Sequence, residues 1–236
     1  AGPEQESSGA FEVNGCDDFR LESLTVTTDN PIGCAGRITG KDEAARTVDF
    51  RIDAACPFSG REHFFQIDTC DEEGMPDYAL ETHADVHVVT NADGAVRHVG
   101  LPFVALGERH VRITLPKWAS VAAVTNGYRA LVRYSRHCGT TLGLSKSRRV
   151  LVQDVEISRT PAMGAVLGTG TADVTFRRFN LRVAPDDPAL HASNADGIHV
   201  FGCTGTIRLE DCHFKGLGDD VFNVHSMGGE IATCDA

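Results

Sequence analysis

A chain of 236 residues with 42% hydrophobic content can bury a substantial core and is long enough for one or two domains. Its 33 acidic against 22 basic residues, a formal charge of −11 and the lack of any Lys/Arg run argue against nucleic acid or an anionic membrane as partner, and favour a neutral or weakly charged ligand. No apolar stretch approaches the roughly 18 residues of a membrane span.

The opening Ala1-Gly-Pro-Glu-Gln-Glu-Ser-Ser8 reads as neither a signal nor a transit peptide, so a secreted or periplasmic parent is expected to carry a leader outside this chain. Eight cysteines (16, 34, 56, 70, 138, 203, 212 and 234) form no CxxC pair and no His/Cys cluster with zinc spacing, so most are expected to be buried thiols. The first strand signal is Phe19-Arg-Leu-Glu-Ser-Leu-Thr-Val26, whose apolar residues fall at places one, three, six and eight. Places one and three read as a strand; the change of parity before place six predicts a corner followed by a second short strand.

From 31 to 127 this frame is absent. Gly36–Thr39 and Thr47–Ile52 flank a charged turn, and His63–Ile67 and His110–Leu115 follow as further antiparallel signals. Between them, Asp85–Thr90 and Ala95–Val99 flank Asn91-Ala-Asp-Gly94, which predicts a hairpin. The region reads as an antiparallel β domain inserted into a second architecture. Trp118 and Tyr128 could stack on a sugar ring, but a lone Trp is expected in the core.

The frame returns three times, at Val150–Ile157, Val174–Leu181 and Ile207–Phe214. The intervals are 24 and 33 residues, and the nine additional residues fit the Pro/Asp loop Ala184–His191. A turn of about 24 residues made of short strands and bends predicts one coil of a right-handed parallel β-helix. The expected fold is therefore all-β: helix coils at 1–30 and 128–236, with 31–127 as an inserted β-barrel-like domain. Cys212 aligns with Val155 and Phe179 and is expected in the core. The chain ends one strand past the last motif without a polar cap, so further coils are expected in the parent protein.

A second NADG, Asn194-Ala-Asp-Gly197, occupies this repeat. With the insertion removed, Asp196 and Asp220 each lie six places after the frame, which predicts that they stack on adjacent coils. Ile198 should then pair with Phe222, His199 with Asn223, Val200 with Val224 and Phe201 with His225. Parallel neighbours are about 4.8 Å apart, so the two carboxylates should reach one water, with Asp219 adjacent. Asp196 shares the parity of Ile198, so it is placed at the corner before the strand, with Gly197 permitting the bend.

Asn194-Ala-Asp-Gly-Ile-His199 and Gly216-Leu-Gly-Asp-Asp-Val-Phe-Asn-Val-His225, with the coil at 16–26, resemble the bacterial exo-acting α-1,3-galactosidases of glycoside hydrolase family 110. The same elements are similar to those of polygalacturonases. The resemblance is specific over residues 191–225 and otherwise one of layout. It implies a β-helix with an inserted barrel, hydrolysis with inversion, and a glycan ending in α-galactose as substrate. Inversion requires an acid and a base about 6.5–9.5 Å apart. Asp196 and Asp220 are read as the pair holding the water and Asp219 as the acid; the opposite assignment, Asp196 as acid, stays open. Asn194, His199, Asn223 and His225 are candidates for sugar hydroxyls. No metal or cofactor is required.

Two other classes remain open. A lyase or epimerase could use the carboxylates to hold Ca²⁺ and act on a uronic acid, but it would want a nearby basic residue, and only Lys215 is adjacent. A non-catalytic glycan-binding β-helix would use the aspartates as corner residues.

Overall fold

The computed structural model describes residues 9–28, 32–72, 76–81, 88–90, 96–98, 100–134, 139–184, 187 and 190–226. These residues are nearly all β, with a single 3₁₀ turn at Val121–Ala123. The chain opens with β1 (Phe11–Asn14) and β2 (Arg20–Val26). There follow β3 (Gly33–Asp42), β4 (Thr47–Ile52), β5 (Gln66–Cys70), β6 (Pro76–Glu81), β7 (Val88–Thr90), β8 (Val96–His98), β9 (Phe103–Gly107), β10 (His110–Thr114) and β11 (Arg129–Arg133). The last group is β12 (Thr140–Ser145), β13 (Arg148–Ile157), β14 (Met163–Leu167), β15 (Ala172–Arg182), β16 (Ile198–Phe201), β17 (Thr204–Glu210), β18 (His213–Lys215) and β19 (Phe222–His225).

The first and last groups build two parallel sheets, ordered β1-β12-β14-β16-β19 and β2-β13-β15-β17, with β18 also on β15. The chain alternates between these sheets, so each pass stacks on the one before. The register follows the repeat: Val150 pairs with Val174 and Val174 with Ile207. Leu21 and Leu24 sit opposite Val152 and Val155. Places one, three, six and eight of the middle copies are all buried, from Val150 and Val152 to Phe179 and Leu181.

The expected corner is a single left-handed residue. Ser23, Asp154, Arg178 and Asp211, the fifth place of each copy, have φ of 59°, 54°, 49° and 53°. One residue in this region reverses strand parity without ending the ladder, as a bulge does. Asp18, Arg149, Asp173 and Gly205 form a second such set. Outside, ion pairs tie successive passes: Arg149 to Asp18, Arg178 to Asp154 and Arg177 to Glu210. The Arg178 hydrogen bond holds the Asp154 carboxyl below its ordinary range.

Residues 33–133 contribute a seven-stranded antiparallel sheet, ordered β6-β5-β11-β3-β4-β10-β9. The sequence groups residues from 128 onward with the parallel passes, whereas Arg129–Arg133 pairs antiparallel with both β3 and β5. Parallel pairing resumes at Thr140. The apolar run Ala130-Leu-Val132 fits either sheet, so only pairing decides. β7 and β8 pair antiparallel, as the hairpin expectation requires, while the first NADG (91–94) lies outside the described residues.

The sheet packs its own apolar cluster around Phe50, Phe64, Ile67 and Ile113, and the parallel passes pack another around Val152, Phe176, Phe179 and Ile198. Trp118 does not join the first cluster, being 54% exposed, whereas Tyr128 packs against it. Cys212 is only half-buried, because its pass is the last in its sheet among the described residues and no further strand covers that edge. Cys34, Cys56 and Cys70 are buried free thiols, and burial pushes Cys34 and Cys70 up to about 12. Cys16 and Cys203 are half-buried, while 138 and 234 lie outside the described residues.

Candidate active site

The site forms where two passes turn into the strands β16 and β19. Their register is the expected one: Ile198 opposite Phe222, His199 opposite Asn223, Val200 opposite Val224 and Phe201 opposite His225. The Gly197 N–H donates to the Asp220 carbonyl at 2.8 Å and the Ile198 N–H to the Val221 carbonyl at 3.1 Å. Asp196 and Asp220 therefore hold equivalent places on adjacent passes. One carboxylate oxygen from each of Asp196, Asp219 and Asp220 lies within 4.8 Å of the others.

Asp196 occupies the bend before β16 and its side chain is 4% exposed, while Asp219 and Asp220 are exposed. Gly197 is needed here, but for space rather than for a left-handed backbone: its φ is not positive, and a Cβ would meet the Val221 carbonyl oxygen at 2.7 Å. The stacking of Gly197 beneath Val221 lets Asp196 come under Asp220.

His199 and His225 project from the same face. His199 Nδ1 lies 2.5 Å from Asp196 Oδ2, and His199 Nε2 lies 2.7 Å from His225 Nε2. If Asp196 is a carboxylate and His199 is neutral, Nδ1–H donates to Asp196 and Nε2 must accept from His225. If Asp196 carries the proton, both bonds reverse. The pair thus links a buried carboxyl to an exposed imidazole through protons that can shift in either direction, which suits a group that must change protonation state in turnover. The Phe201 and His225 rings stack with centroids 6.0 Å apart.

Asn223 stands partly buried beside His199 on the adjacent strand. Asn194 lies deeper, behind the bend that carries Asp196. It is 1% exposed, and its backbone carbonyl accepts a hydrogen bond from Arg133 at 2.8 Å. Lys215 ends β18 on the other sheet, in register with Arg182.

Two buried neighbours have no signal in the local sequence. Arg133 reaches the site from 61 residues upstream. His191, at the end of the Pro/Asp loop, is held neutral by burial and by Arg133, which bring its pKa to about 3. An unfolded histidine titrates near 6.5, so between these values the unfolded chain binds a proton that the folded chain refuses. Stability should fall as pH drops below about 6.5, by on the order of 1 kcal/mol per pH unit. Urea unfolding at pH 5 and 7 checks this, since His191→Gln should show a shallower loss than the unsubstituted protein; equal slopes would contradict it.

The three carboxylates offer oxygens that could hold a hard divalent cation, or could polarise and deprotonate a water. No protein-family model matches the chain. Part of it is similar to α-1,3-galactosidases. Over 84 residues it is 29% identical to α-1,3-galactosidase A of Bacteroides fragilis, covering 36% of this chain and 14% of that protein. Over 117 residues it is 31% identical to α-1,3-galactosidase B of the same species, covering 48% and 19%. Over 119 residues it is 24% identical to α-1,3-galactosidase A of Shewanella woodyi, covering 50% and 18%. The matched segments thus span less than a fifth of these relatives' length. No helix among the described residues is long and apolar enough to cross a membrane.

Proposed function

We propose that the protein is a glycoside hydrolase that releases terminal α-1,3-linked galactose from glycans by inversion. The observation that carries the hydrolase reading is the meeting of Asp196, Asp219 and Asp220 within 4.8 Å on adjacent passes; inversion is taken from the family resemblance, since this spacing is shorter than the one inverting carboxyls usually keep. The partial similarity to α-1,3-galactosidases gives it a substrate. The net charge of −11 favours a neutral glycan over a polyuronate. In the same reading the two parallel sheets are faces of one right-handed β-helix, the hand that parallel crossovers almost always take. The antiparallel sheet, with its separate apolar cluster, is a domain inserted between the first pass and the rest.

Asp196 and Asp220 hold the attacking water. Two oxygens no more than 4.8 Å apart can both bond one water, since each bond spans about 2.8 Å. His199 and His225 support the change in charge on Asp196 as the water loses its proton. Asp219, exposed beside this pair, protonates the leaving oxygen. Asn223 and His225 face the sugar, and Asn194 is reassigned to holding the motif.

A second reading is favoured by the same spacing. Carboxyl groups of inverting enzymes stand about 6.5–9.5 Å apart, and those of retaining enzymes about 5–5.5 Å. Asp220 as nucleophile and Asp219 as acid would suit the shorter distance. Against it, Asp196 would then have no part in bond breaking despite its placement. Proton NMR of the first sugar released from an α-linked galactoside decides: β-galactose is expected, and α-galactose would establish the covalent route. Activity should also persist in chelator, which a cation-dependent lyase would not tolerate.

A further inference from the structure

We infer that Arg133 is a positioning residue that sets the spacing of the catalytic carboxylates by clamping the two passes that carry them. The inference rests on the hydrolase reading above for its catalytic consequence.

Arg133 is the last residue of β11, in the antiparallel sheet, where its backbone pairs with Gly33 and Gln66. Its side chain leaves that sheet and enters the parallel stack. Nη1 donates to the Asn194 carbonyl at 2.8 Å and Nη2 to the Gly218 carbonyl at 2.9 Å. These carbonyls stand two residues before Asp196 and one before Asp219. One rigid guanidinium thus holds equivalent points of two adjacent passes immediately ahead of their aspartates. The fork is itself anchored, because Nη2 lies 3.3 Å from Asp68 Oδ2 and Asp68 accepts from Gln66 Nε2 at 3.0 and 2.9 Å.

Gly218 completes the arrangement. A Cβ there would meet the Asn194 oxygen at 2.5 Å and Arg133 Nη1 at 2.8 Å, so only glycine admits the clamp. Burial pulls the guanidinium's pKa down, while the carboxylates of Asp68 and Asp219 push it back up; an arginine stays charged in either case. Its positive charge therefore acts on Asp219, one of the three carboxylates that have to crowd together.

Stability alone is a poor account of such a residue. A buried ion pair rarely exceeds in stability the apolar packing that could replace it, whereas a planar fork fixes direction and separation in a way lysine cannot. Within its reach no sugar or reacting atom is required; Arg133 acts through Asp196 and Asp219.

The test is Arg133→Lys, which keeps the charge and loses the fork. Misplacement of reacting groups by about an ångström costs up to a hundredfold, so kcat should fall about 30- to 100-fold, with KM changed by less than about threefold. Amide hydrogen exchange gives a readout that needs no substrate. The Gly197 amide, which bonds Asp220 across the two passes, should exchange at least about tenfold faster, while amides of β13 and β15 stay protected. Unchanged kcat and exchange in an active protein would overturn the inference, as would acceleration spread evenly through β13 and β15, the mark of general destabilisation. Should Arg133→Lys fail to fold, Gly218→Ala presses on the clamp from the other side and is judged by the same two readouts. An unsubstituted protein inactive on every α-galactoside would remove the hydrolase reading, and the exchange pattern would still decide the clamp.

Discussion

Asp196→Asn, Asp219→Asn and Asp220→Asn should each lower turnover on a terminal α-1,3-galactoside by at least about a hundredfold, the scale of acid–base assistance. Each substitution keeps size and much of the hydrogen bonding while removing the charge or the transferable proton, so the fold should survive. The three losses have different causes. Asp196 is buried and bonded to His199, so it can act on a small water held above it but hardly on a leaving group in solvent. Asp219 is exposed and can reach a leaving oxygen. An aryl galactoside whose leaving group needs no protonation should therefore restore much of the rate of Asp219→Asn and little of the other two. Rescue of Asp196→Asn instead would exchange the roles of acid and base. Asp93→Asn, in the first NADG, is the control: turnover should stay within about twofold, and stability within about 1 kcal/mol.

What the sequence showed of this fold was whatever repeats. The eight-place frame fixed the register of β2, β13, β15 and β17, because apolar places must stack for the passes to bury a common core. The same frame aligned β16 with β19 and so brought Asp196 into register with Asp220. Contacts made once, across the chain, left no such trace. Arg133 reads as the polar end of a short apolar strand, and nothing near it announces two carbonyls 61 and 85 residues downstream. Asn194 reads from sequence as a ligand for sugar within the same motif as Asp196, and the bend before β16 buries both side chains. Trp118 reads as a core residue because it is the lone tryptophan; the antiparallel sheet fills its core with Phe50, Phe64 and Ile113 and leaves the indole outside.

Gly197→Ala should cost stability and turnover together, because the room it removes lies between the two passes that meet at the carboxylates. The added Cβ would stand 2.7 Å from the Val221 carbonyl oxygen and 3.0 Å from carbons of both Leu217 and Phe214. Two of those neighbours could shift a little. The carbonyl could not, since it accepts the Ile198 N–H at 3.1 Å and belongs to the ladder that sets the register. Relief must therefore come from moving the segment Asp220–Val221 away from Asp196, which loses packing and opens the water site at once. Overpacking against an unyielding neighbour costs about 3 kcal/mol at the upper end of the usual range, and a displacement of a few tenths of an ångström at the carboxylates should lower kcat by at least about tenfold. Gly107→Ala makes the comparison fair: a Cβ there meets nothing within 4 Å and the backbone is not left-handed, so stability should be unchanged or rise slightly. Urea unfolding and turnover of both variants measure the two effects. If Gly197→Ala were as stable and as active as Gly107→Ala, the close stacking of these passes would not be what holds Asp196 beneath Asp220.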